Sequence, residues 1–483
     1  MTRKFKLLRY GALALAMLLA QSGLQAQTKV MSLSDAVKYS IDHSSSTRTS
    51  QLTIAKANSA VDEYYGYAYP SVDLTAGFNR YISKSQIPFI NFSAMLNNAT
   101  YGVLFNENVI PTDNSKLQDM SPAMMSMAQY NNYNAKLQVS QVLFSSAVFT
   151  GIGASKIYLD LSKEQFRGTT MSDITSIKKA FYAVILCKEQ LKIIRESLVN
   201  AEENLANLRS LYKQGMTSEY QVMQVEVQVE NIRPQIKQLE NALESAKNGM
   251  KILLGLDMAE EVDFTGELTT DVEEISDYQS VLSNAYNNNY DLRTLNKKTE
   301  VDAASIDISK ADYYPTLSAF GYVNFAGSSD KWDFNSYTES MVGISFSMNL
   351  FNGNRTKNKL QQSYIDQETT KEQIALLKSS IDNSIRTQVL EIQRVKTSLE
   401  AQRRNVALAQ KAYDISTSQF EQGTGTQLEI KNADLELRSA KTNLLQSAYD
   451  YMTARAELDR LTGTMEPEYQ EMVEKKIADS IKK

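Results

Sequence analysis

Cysteine, histidine, proline and glycine are scarce in this 483-residue chain, which contains 1, 1, 7 and 19 of them respectively. The single cysteine, Cys187, excludes a disulfide within the chain. The single histidine, His43, has no partner histidine or cysteine for a metal site, and no Ser-His-Asp set can be built around it. We therefore expect no bound metal, and a capping or core role for His43. Scarce glycine and proline are typical of long helices.

The chain also lacks an excess of charge, because 51 basic residues stand against 56 acidic ones. Without a long basic run, a nucleic-acid partner is not expected. No glycine-rich phosphate loop is present, so the chain is not expected to hydrolyse ATP. No residue set indicates an enzyme or a cofactor.

After the first 26 residues, no apolar run approaches the about 18 residues that a transmembrane helix needs. Residues 1–26 have the pattern of a secretory signal peptide, with a basic start, a short apolar run over 12–20 and Ala26 at the cleavage position. The run is too short for the alternative, an N-terminal membrane anchor. An exported chain of this kind is either soluble outside the inner membrane or a barrel in the outer one.

Two long segments have apolar or small residues at alternating spacings of three and four, the pattern of a coiled coil. The first segment runs from Ile177 to Tyr212, resumes over Val222–Leu253 and ends at Gly255. Adding 208 to each position gives a second segment of similar character, which ends at Gly463 and is softened by polar residues: Gln388, Gln402, Ser416 and Ser447. The constant offset predicts two internal repeats.

The repeats set the expected domain organisation. Repeat 1 covers 27–256 and contains a coiled-coil hairpin over 153–254, and repeat 2 covers 277–463 with a hairpin over 355–462. A linker over 257–276 joins the repeats, and a charged tail over 464–483 follows them. The expected descending helices are 153–212 and 355–421, and the returning helices are 219–254 and 427–462. Because the returning helices are shorter, we expect additional helices near 33–66 and 278–311 to stack end to end with them. Pro234 is expected to kink the first returning helix.

Four segments alternate between apolar and polar residues: one after Pro70, one around Val139, one after Pro315, and Val342–Leu350. Each has about the ten residues of a tilted transmembrane strand, although the same pattern suits an ordinary half-buried sheet. Four strands cannot close a barrel, so the membrane interpretation requires an oligomer. The first inter-strand loop, 82–133, is longer than the second, 327–339, as outward-facing barrel loops are.

In their order, these pieces resemble the outer membrane efflux proteins, the TolC-like family. The resemblance depends on the segment from Asn288 to Leu317, the strand-to-helix step Leu350–Arg355, and the two turns at 212–220 and 420–429. Where the family often has Asn-Pro in the first helix, this chain has His43-Ser44.

The resemblance implies an α+β membrane protein and a homotrimer. Four strands from each chain would form a twelve-stranded barrel in the lipid of the outer membrane, continued by an α-helical coiled-coil tunnel through the periplasm. It also implies a periplasmic adaptor (membrane fusion) protein and an inner-membrane RND or ABC transporter as partners. The chain would then be the passive exit duct of a tripartite efflux or type I secretion system. The alternative is a soluble periplasmic coiled-coil adaptor or scaffold, and the sequence does not name a cargo.

The resemblance also implies a gate of acidic rings at the periplasmic end of the tunnel. Register from Gly423 places these positions on Glu429 and Asn432, with Gln221 after the first turn, so that only Glu429 is acidic. Three Glu429 carboxylates around an axis would attract cations. The alternative for Glu429 is an ordinary solvated helix face.

Small and polar residues fill both hairpin turns, where contact with the adaptor is the functional hypothesis and a glycine-dependent turn is the structural one. The turn residues are Gly215, Met216, Thr217, Ser218, Gly423, Thr424, Gly425 and Thr426. A cluster of methionines in the long loop suits either copper(I) or apolar packing, and it comprises Met120, Met124, Met125 and Met127.

Overall fold

The computed structural model describes residues 29–274 and 277–482, so the predicted signal peptide lies outside the described residues. The chain divides into two compact units. The helical unit comprises the described residues of Met1–Val61, Gly153–Ile306 and Gln361–Lys483. The strand unit comprises Asp62–Ile152 and Asp307–Leu360.

The helices of the described chain are α1 (Leu33–His43), α2 (Ser45–Gly66), α3 (Phe92–Asn106), α4 (Ser146–Lys213), α5 (Glu219–Leu254), α6 (Tyr278–Asn288), α7 (Tyr290–Ala311), α8 (Arg355–Glu421), α9 (Gln427–Thr462) and α10 (Pro467–Lys482). Its strands are β1 (Lys29–Met31), β2 (Ser71–Arg80), β3 (Ile87–Phe89), β4 (Ala123–Met125), β5 (Asn131–Ser145), β6 (Val262–Phe264), β7 (Thr316–Ser329) and β8 (Asn335–Ser347).

Two long hairpins, α4–α5 and α8–α9, dominate the helical unit. Helices α4 and α8 have 68 and 67 residues, which corresponds to about 100 Å each. Helix α4 begins at Ser146 rather than at 153, because β5 ends at Ser145 and the chain enters the helix directly. The returning helices α5 and α9 occupy the residues that the heptad spacing predicts, and α5 continues through Pro234. Part of the predicted seam is buried in each hairpin, including Val222, Val225, Val229 and Ile232 in the first and Ile385, Ile392, Val395 and Leu399 in the second.

Each of the two shorter helices expected near 33–66 and 278–311 is in fact a pair, interrupted at Ser44 and at Asn289. The expectation of single helices was wrong because both interrupting residues act as caps. The Ser44 hydroxyl accepts the Thr47 N–H at 3.1 Å, and the Asn289 side-chain oxygen accepts the Leu292 N–H at 3.0 Å. Each cap starts a new helix and redirects the chain.

The returning helices end against these two breaks. Gly255 and Gly463 close α5 and α9 in the left-handed conformation, with φ of 72° and 66°. A Cβ on Gly255 would lie 3.0 Å from the carbonyl oxygen of His43, and a Cβ on Gly463 would overlap the carbonyl oxygen of Asn288. Glycine is therefore required at both contacts by conformation and by space.

The segment 464–483, expected as a charged tail, contains the amphipathic helix α10. Its apolar side buries Tyr469, Val473 and Ile477. Its charged side pairs with the rest of the helical unit through three links: Lys38–Glu468 at 2.5 Å, Asp42–Lys476 at 2.9 Å, and a two-pronged bond from Arg167 to Glu474 at 2.7 and 2.8 Å. Nearby, the expected linker 257–276 contains β6, which pairs in parallel with β1.

The strand unit contains an antiparallel sheet in the order β2-β5-β7-β8. Strands β7 and β8 are joined by only 330–334, a shorter loop than the expected 327–339, because the strands extend further. The expected long loop 82–133 has structure of its own, with α3 and the paired strands β3 and β4. Among the described residues, no helix has both the length and the apolar character needed to cross a bilayer.

The register of the sheet separates two faces. On the apolar face, Val72 opposes Val139, Leu74 opposes Leu137, and Leu137 in turn opposes Val323. On the other face, Asp73 opposes Gln138, which in turn opposes Tyr322. The sheet is therefore amphipathic, with one apolar face and one more polar face.

Candidate functional site

The candidate site lies at the turn ends of the two hairpins, within the helical unit. In the first turn, Gly215 has φ 73° and its N–H bonds to the carbonyl of Tyr212 at 2.9 Å. In the second turn, Gly423 has φ 77° and its N–H bonds to the carbonyl of Phe420 at 2.9 Å. Both glycines have the left-handed backbone conformation that commonly ends a helix. The need for glycine in such a turn is therefore enough to explain why glycine occurs at both positions.

The remaining turn residues start the returning helices. Ser218 is the N-cap of α5, and Thr426 is the N-cap of α9. Glycine is required at position 425 by the lack of space for a side chain rather than by its backbone conformation. A Cβ there would lie 2.9 Å from the backbone nitrogen of Phe420. Met216 and Thr424 are exposed, and Met216 is 70 % accessible.

Glu429, the predicted gate carboxylate, takes part in capping α9. Its carboxylate accepts the Thr426 N–H at 2.7 Å, and the Thr426 hydroxyl accepts the Glu429 N–H at 3.3 Å. This reciprocal pair is a capping box. Glu429 is exposed, as is Asn432 one turn further along α9.

Gln221 is half-buried on the first turn of α5, where its side-chain oxygen accepts the hydroxyl of Thr217. It lines a cleft of about 760 Å³ between the two hairpin ends, whereas Glu429 and Asn432 are not among the residues that line this cleft. The structure thus places Glu429 and Asn432 together on one helix and puts Gln221 in a different setting. The cleft is also lined by residues from both turns: Met216, Thr217, Gly423 and Gly425.

Two polar links join the hairpins at this cleft, whose lining includes Asn204 and Asp434. Asn204 on α4 and Gln427 on α9 exchange side-chain hydrogen bonds of 2.8 and 3.2 Å. Seven residues further from the turn on both helices, the Ser197 hydroxyl donates to the Asp434 carboxylate at 2.9 Å. Since seven residues is one heptad, the links occupy equivalent positions along the interface of the two hairpins. We refer to these four residues as the inter-hairpin links.

Asp434 is the buried charge of this site, with only 6 % of its surface accessible. Arg438, one turn along the same helix, pairs with it at 3.2 Å. Burial raises the pKa of the Asp434 carboxyl, while Arg438 and the Ser197 hydroxyl oppose this shift. Burial also raises the pKa of Tyr413, and the nearby Asp434 charge adds to that effect. A buried polar set of this kind is stable only while its partners stay together.

The two repeats differ at this position. By the offset of 208, Asp434 corresponds to Glu226, which pairs with Arg209 at 2.8 Å on the exposed surface of the first hairpin. Arg209 corresponds in turn to Thr417, so helix α8 lacks the basic partner, and Asp434 pairs instead with Arg438 on its own helix. Reasoning from sequence did not find the inter-hairpin links. The available signal was Asp434 itself, a carboxylate beside the apolar seam residue Ala433.

The other residues singled out in the sequence are His43, Cys187 and the methionine cluster of the long loop. His43 stacks on Tyr39 with ring centroids 4.2 Å apart, and Cys187 is half-buried, which raises the pKa of its thiol. Met124 and Met125 are adjacent on β4, so their side chains point to opposite sides of that strand. The copper(I) hypothesis for the methionines remains a prediction. Within the described ranges, no cluster of three or more His, Cys, Asp or Glu residues could hold a metal.

Comparison with known proteins assigns the chain to a family. The profile of the outer membrane efflux protein family matches residues 40–256 and 281–464. The chain is 19 % identical over 341 residues to the outer membrane protein TolC of Vibrio cholerae, covering 69 % of this chain and 77 % of that one. It is 20 % identical over 361 residues to the alkaline protease secretion protein AprF of Pseudomonas aeruginosa, covering 71 % and 72 %.

Its fold is also that of solved outer-membrane channels. The CmeC outer membrane channel of Campylobacter jejuni superposes with a TM-score of 0.69 at 13 % identity, covering 93 % of this chain and 89 % of that one. Since the family profile spans most of the sequence, the chain belongs to the outer membrane efflux protein family.

Proposed function

We propose that this protein is one of three identical subunits of an outer-membrane channel. The channel gives passive exit across the periplasm and the outer membrane, and a separate inner-membrane RND or ABC transporter, reached through a periplasmic adaptor, supplies the energy. Family membership supports this proposal, as do relatives whose names describe an outer membrane channel and a secretion protein. The process served would be efflux or type I secretion.

The observation that carries the proposal is the exposed apolar face of the sheet. Val342 is 87 % accessible, Leu74 72 % and Ile344 70 %, and none of them contacts a covering layer in this chain. A water-soluble protein seldom leaves so continuous an apolar face uncovered, whereas a barrel presents such a face to lipid. This argues against the alternative of a soluble scaffold.

Aromatic side chains bracket the apolar face at both ends. At one end, Trp332 stacks on Phe78 with centroids 5.8 Å apart. At the other end, Tyr69 and Tyr314 are 66 % and 58 % accessible. The nine residue steps from Tyr69 to Phe78 extend about 30 Å, or about 23 Å when tilted by about 40°, close to the about 25 Å apolar band of outer-membrane barrels.

The edges of the sheet support an oligomer. Within the described residues, β2 and β8 each pair on one side only, so 10-residue and 13-residue edges remain open. Open edges are not tolerated in the hydrocarbon of a membrane. Pairing β2 of one copy with β8 of the next would close a ring, and three copies give twelve strands around a channel.

The inter-hairpin links fit a closed end for this channel. Opening a pore between hairpins requires the hairpins to move apart, and the links at Asn204–Gln427 and Ser197–Asp434 resist that movement. The hairpin turns, with their small residues, would contact the adaptor, and the exposed Glu429 would face the axis. Adaptor binding would open the channel if it favours the separated arrangement.

Fractionation and electrical recording test the proposal. The protein should be recovered from outer membranes only with detergent, and it should form conducting pores in a planar bilayer. A variant with Val342 and Ile344 both changed to Asp should fail to insert, because charge on a lipid-facing strand is costly. The matched control, Ser345→Asp on the opposite face, should insert. Recovery of the unaltered protein as a soluble periplasmic species would contradict the proposal.

A further inference from the structure

The long connection between β2 and β5, residues 81–130, is a small folded element with an unusual distribution of polarity. We refer to it as the insertion. Among its fifty residues only five carry charge, namely Lys84, Glu107, Asp113, Lys116 and Asp119, and none of these lies in helix α3. A surface that faces only water normally carries a much larger charged share. The sparse charge indicates that part of this surface is covered in the assembled protein.

Helix α3 has two asparagines, Asn97 and Asn98, turned toward the rest of the insertion. The Asn97 side chain donates to the carbonyl of Lys116 at 2.8 Å, and the Asn98 side chain donates to the carbonyl of Gln118 at 2.9 Å. The backbone N–H of Gln118 in turn donates to the Asn98 side-chain oxygen at 2.7 Å. These bonds attach the helix to the segment 113–119 and fix which face points outward.

The outward face of α3 carries a row of large apolar side chains, beside the exposed polar residues Ser93 and Thr100. Phe92, Leu96 and Val103 are 52 %, 62 % and 61 % accessible, and their spacing of four and seven residues aligns them along one side of the helix. We refer to these three residues as the α3 stripe. A helix that faces water shows the reverse arrangement, with its polar side outward. The stripe therefore needs a covering surface that this chain does not provide.

The base of the insertion is fixed to the sheet. Asp330, in the turn between β7 and β8, accepts the Lys84 ammonium at 2.5 Å and the Tyr130 N–H at 2.8 Å. The insertion thus leaves the sheet beyond the aromatic end that contains Phe78 and Trp332. That position is past the apolar band, so lipid is not available to cover the stripe unless the insertion folds back.

We propose that the α3 stripe is covered by a neighbouring copy of this chain, so that the insertions form a collar between subunits at the outer end of the barrel. The inference rests on the proposed function, because it requires the ring of subunits. The insertion emerges from β2, which is an open edge of the sheet, and pairing of that edge would bring the next copy's β8 and its exposed β7–β8 turn to the insertion's base. The collar therefore continues the interface that the open edges already demand.

Cross-linking between introduced cysteines tests the collar, because Cys187→Ser removes the only native thiol. In a ring a residue faces a different residue of the next copy, so Leu96→Cys and Val103→Cys are each combined with Lys331→Cys in the exposed β7–β8 turn. For cross-linking, each pair is treated with a short bifunctional maleimide in outer membranes. We expect a covalent dimer that survives heating in detergent, from at least one of the two. Asn114→Cys, on the polar segment of the same insertion, is the matched control and should give at most a tenth of that yield.

Three results would overturn the proposal. The first is an absence of cross-links from both stripe positions while the complex still has the mass of three chains. The second is rapid labelling of both cysteines by a charged, water-soluble maleimide, which would place the stripe in water. The third is labelling only by an apolar, membrane-soluble maleimide, which would place it in lipid. A complex that runs as a single chain in detergent contradicts the proposed function instead.

Discussion

The side-chain amide of Asn289 donates a hydrogen bond of 2.9 Å to the carbonyl of Leu461, and so joins the break between α6 and α7 to the end of α9. The same side chain accepts the Leu292 N–H and caps α7. One buried residue therefore satisfies two helix ends that would otherwise lack partners. In the other repeat, Ser44 caps α2 at the equivalent break and lies beside Gly255 at the end of α5.

Replacing Asn289 with Ala should destabilise the helical unit by about 2–4 kcal/mol, because a cap is lost and a buried carbonyl is left unpaired. Thermal unfolding followed by circular dichroism measures the effect. Asn288→Ala is the control, since Asn288 is exposed and its side chain bonds only to Asn284 in the same helix. Equal melting temperatures for the two variants would contradict the role assigned to Asn289.

Gly463→Ala should be more damaging than the same change at Gly215. Both glycines have positive φ, so each alanine costs about 1–2 kcal/mol in backbone conformation. Only at Gly463 would the new Cβ also overlap the Asn288 carbonyl, whereas nothing lies within 4 Å of a Cβ at Gly215. The overlap adds about 1–3 kcal/mol. The melting temperatures of the two variants test this order, and a Gly215 variant that unfolds first would refute it.

Breaking the inter-hairpin links should favour the open channel. Asn204→Ala and Gln427→Ala each remove the same reciprocal pair, so the double variant should change open probability no more than either single one does. Single-channel recording gives the open probability. The control is Arg209→Ala, because its exposed pair with Glu226 contributes little. Strictly additive effects of the two single changes would show that the side chains act independently.

Glu429 combines a capping role with a predicted pore charge, and Glu429→Gln separates the two. Glutamine retains the capping-box geometry but removes the charge. If the carboxylates line the axis, cation preference should fall in Glu429→Gln while the melting temperature stays within about 2 °C. Asn432→Asp, one turn along α9, should raise cation preference. Unchanged ion selectivity in both variants would assign Glu429 to capping alone.

Asp434 should give the hairpin interface a characteristic pH dependence. Because its folded-state pKa is raised above the ordinary value of 3.8, the folded protein binds its proton more tightly than the unfolded chain does. Stability from this group therefore falls as the pH rises from 3.8 through the raised pKa. Melting temperatures of the unaltered protein and of Asp434→Asn, compared between pH 4 and pH 7, should converge at the acidic end. A difference between them that does not vary with pH would contradict this prediction.

The long elements of the fold were predictable because each follows a repeating pattern. The heptad spacing identified α5 and α9, and strict alternation identified the strand that contains Val342 and Ile344. The breaks at Ser44 and Asn289 were missed because a single capping side chain interrupts an otherwise helical pattern. A single capping residue leaves no periodic pattern in the sequence from which the break could be predicted.

The site was predictable only in part. The turns follow from their glycines, whereas Glu429 was singled out by the family resemblance and the register from Gly423. Its capping box with Thr426 is a local signal that was not predicted. The inter-hairpin links were not predicted, because Ser197 and Asp434 are 237 residues apart and meet only when the two hairpins pack. The structure of the insertion was missed as well, because its bonds join Asn97 and Asn98 to backbone carbonyls in an irregular segment.

The number of chains in the detergent-solubilised complex distinguishes a closed ring of subunits from an isolated subunit. Native mass spectrometry of the purified complex should give three chains, and β2→β8 pairing between them should hold the complex together until it is heated. A stable, folded single chain in detergent would leave the open edges of β2 and β8 unpaired, and it would contradict the account.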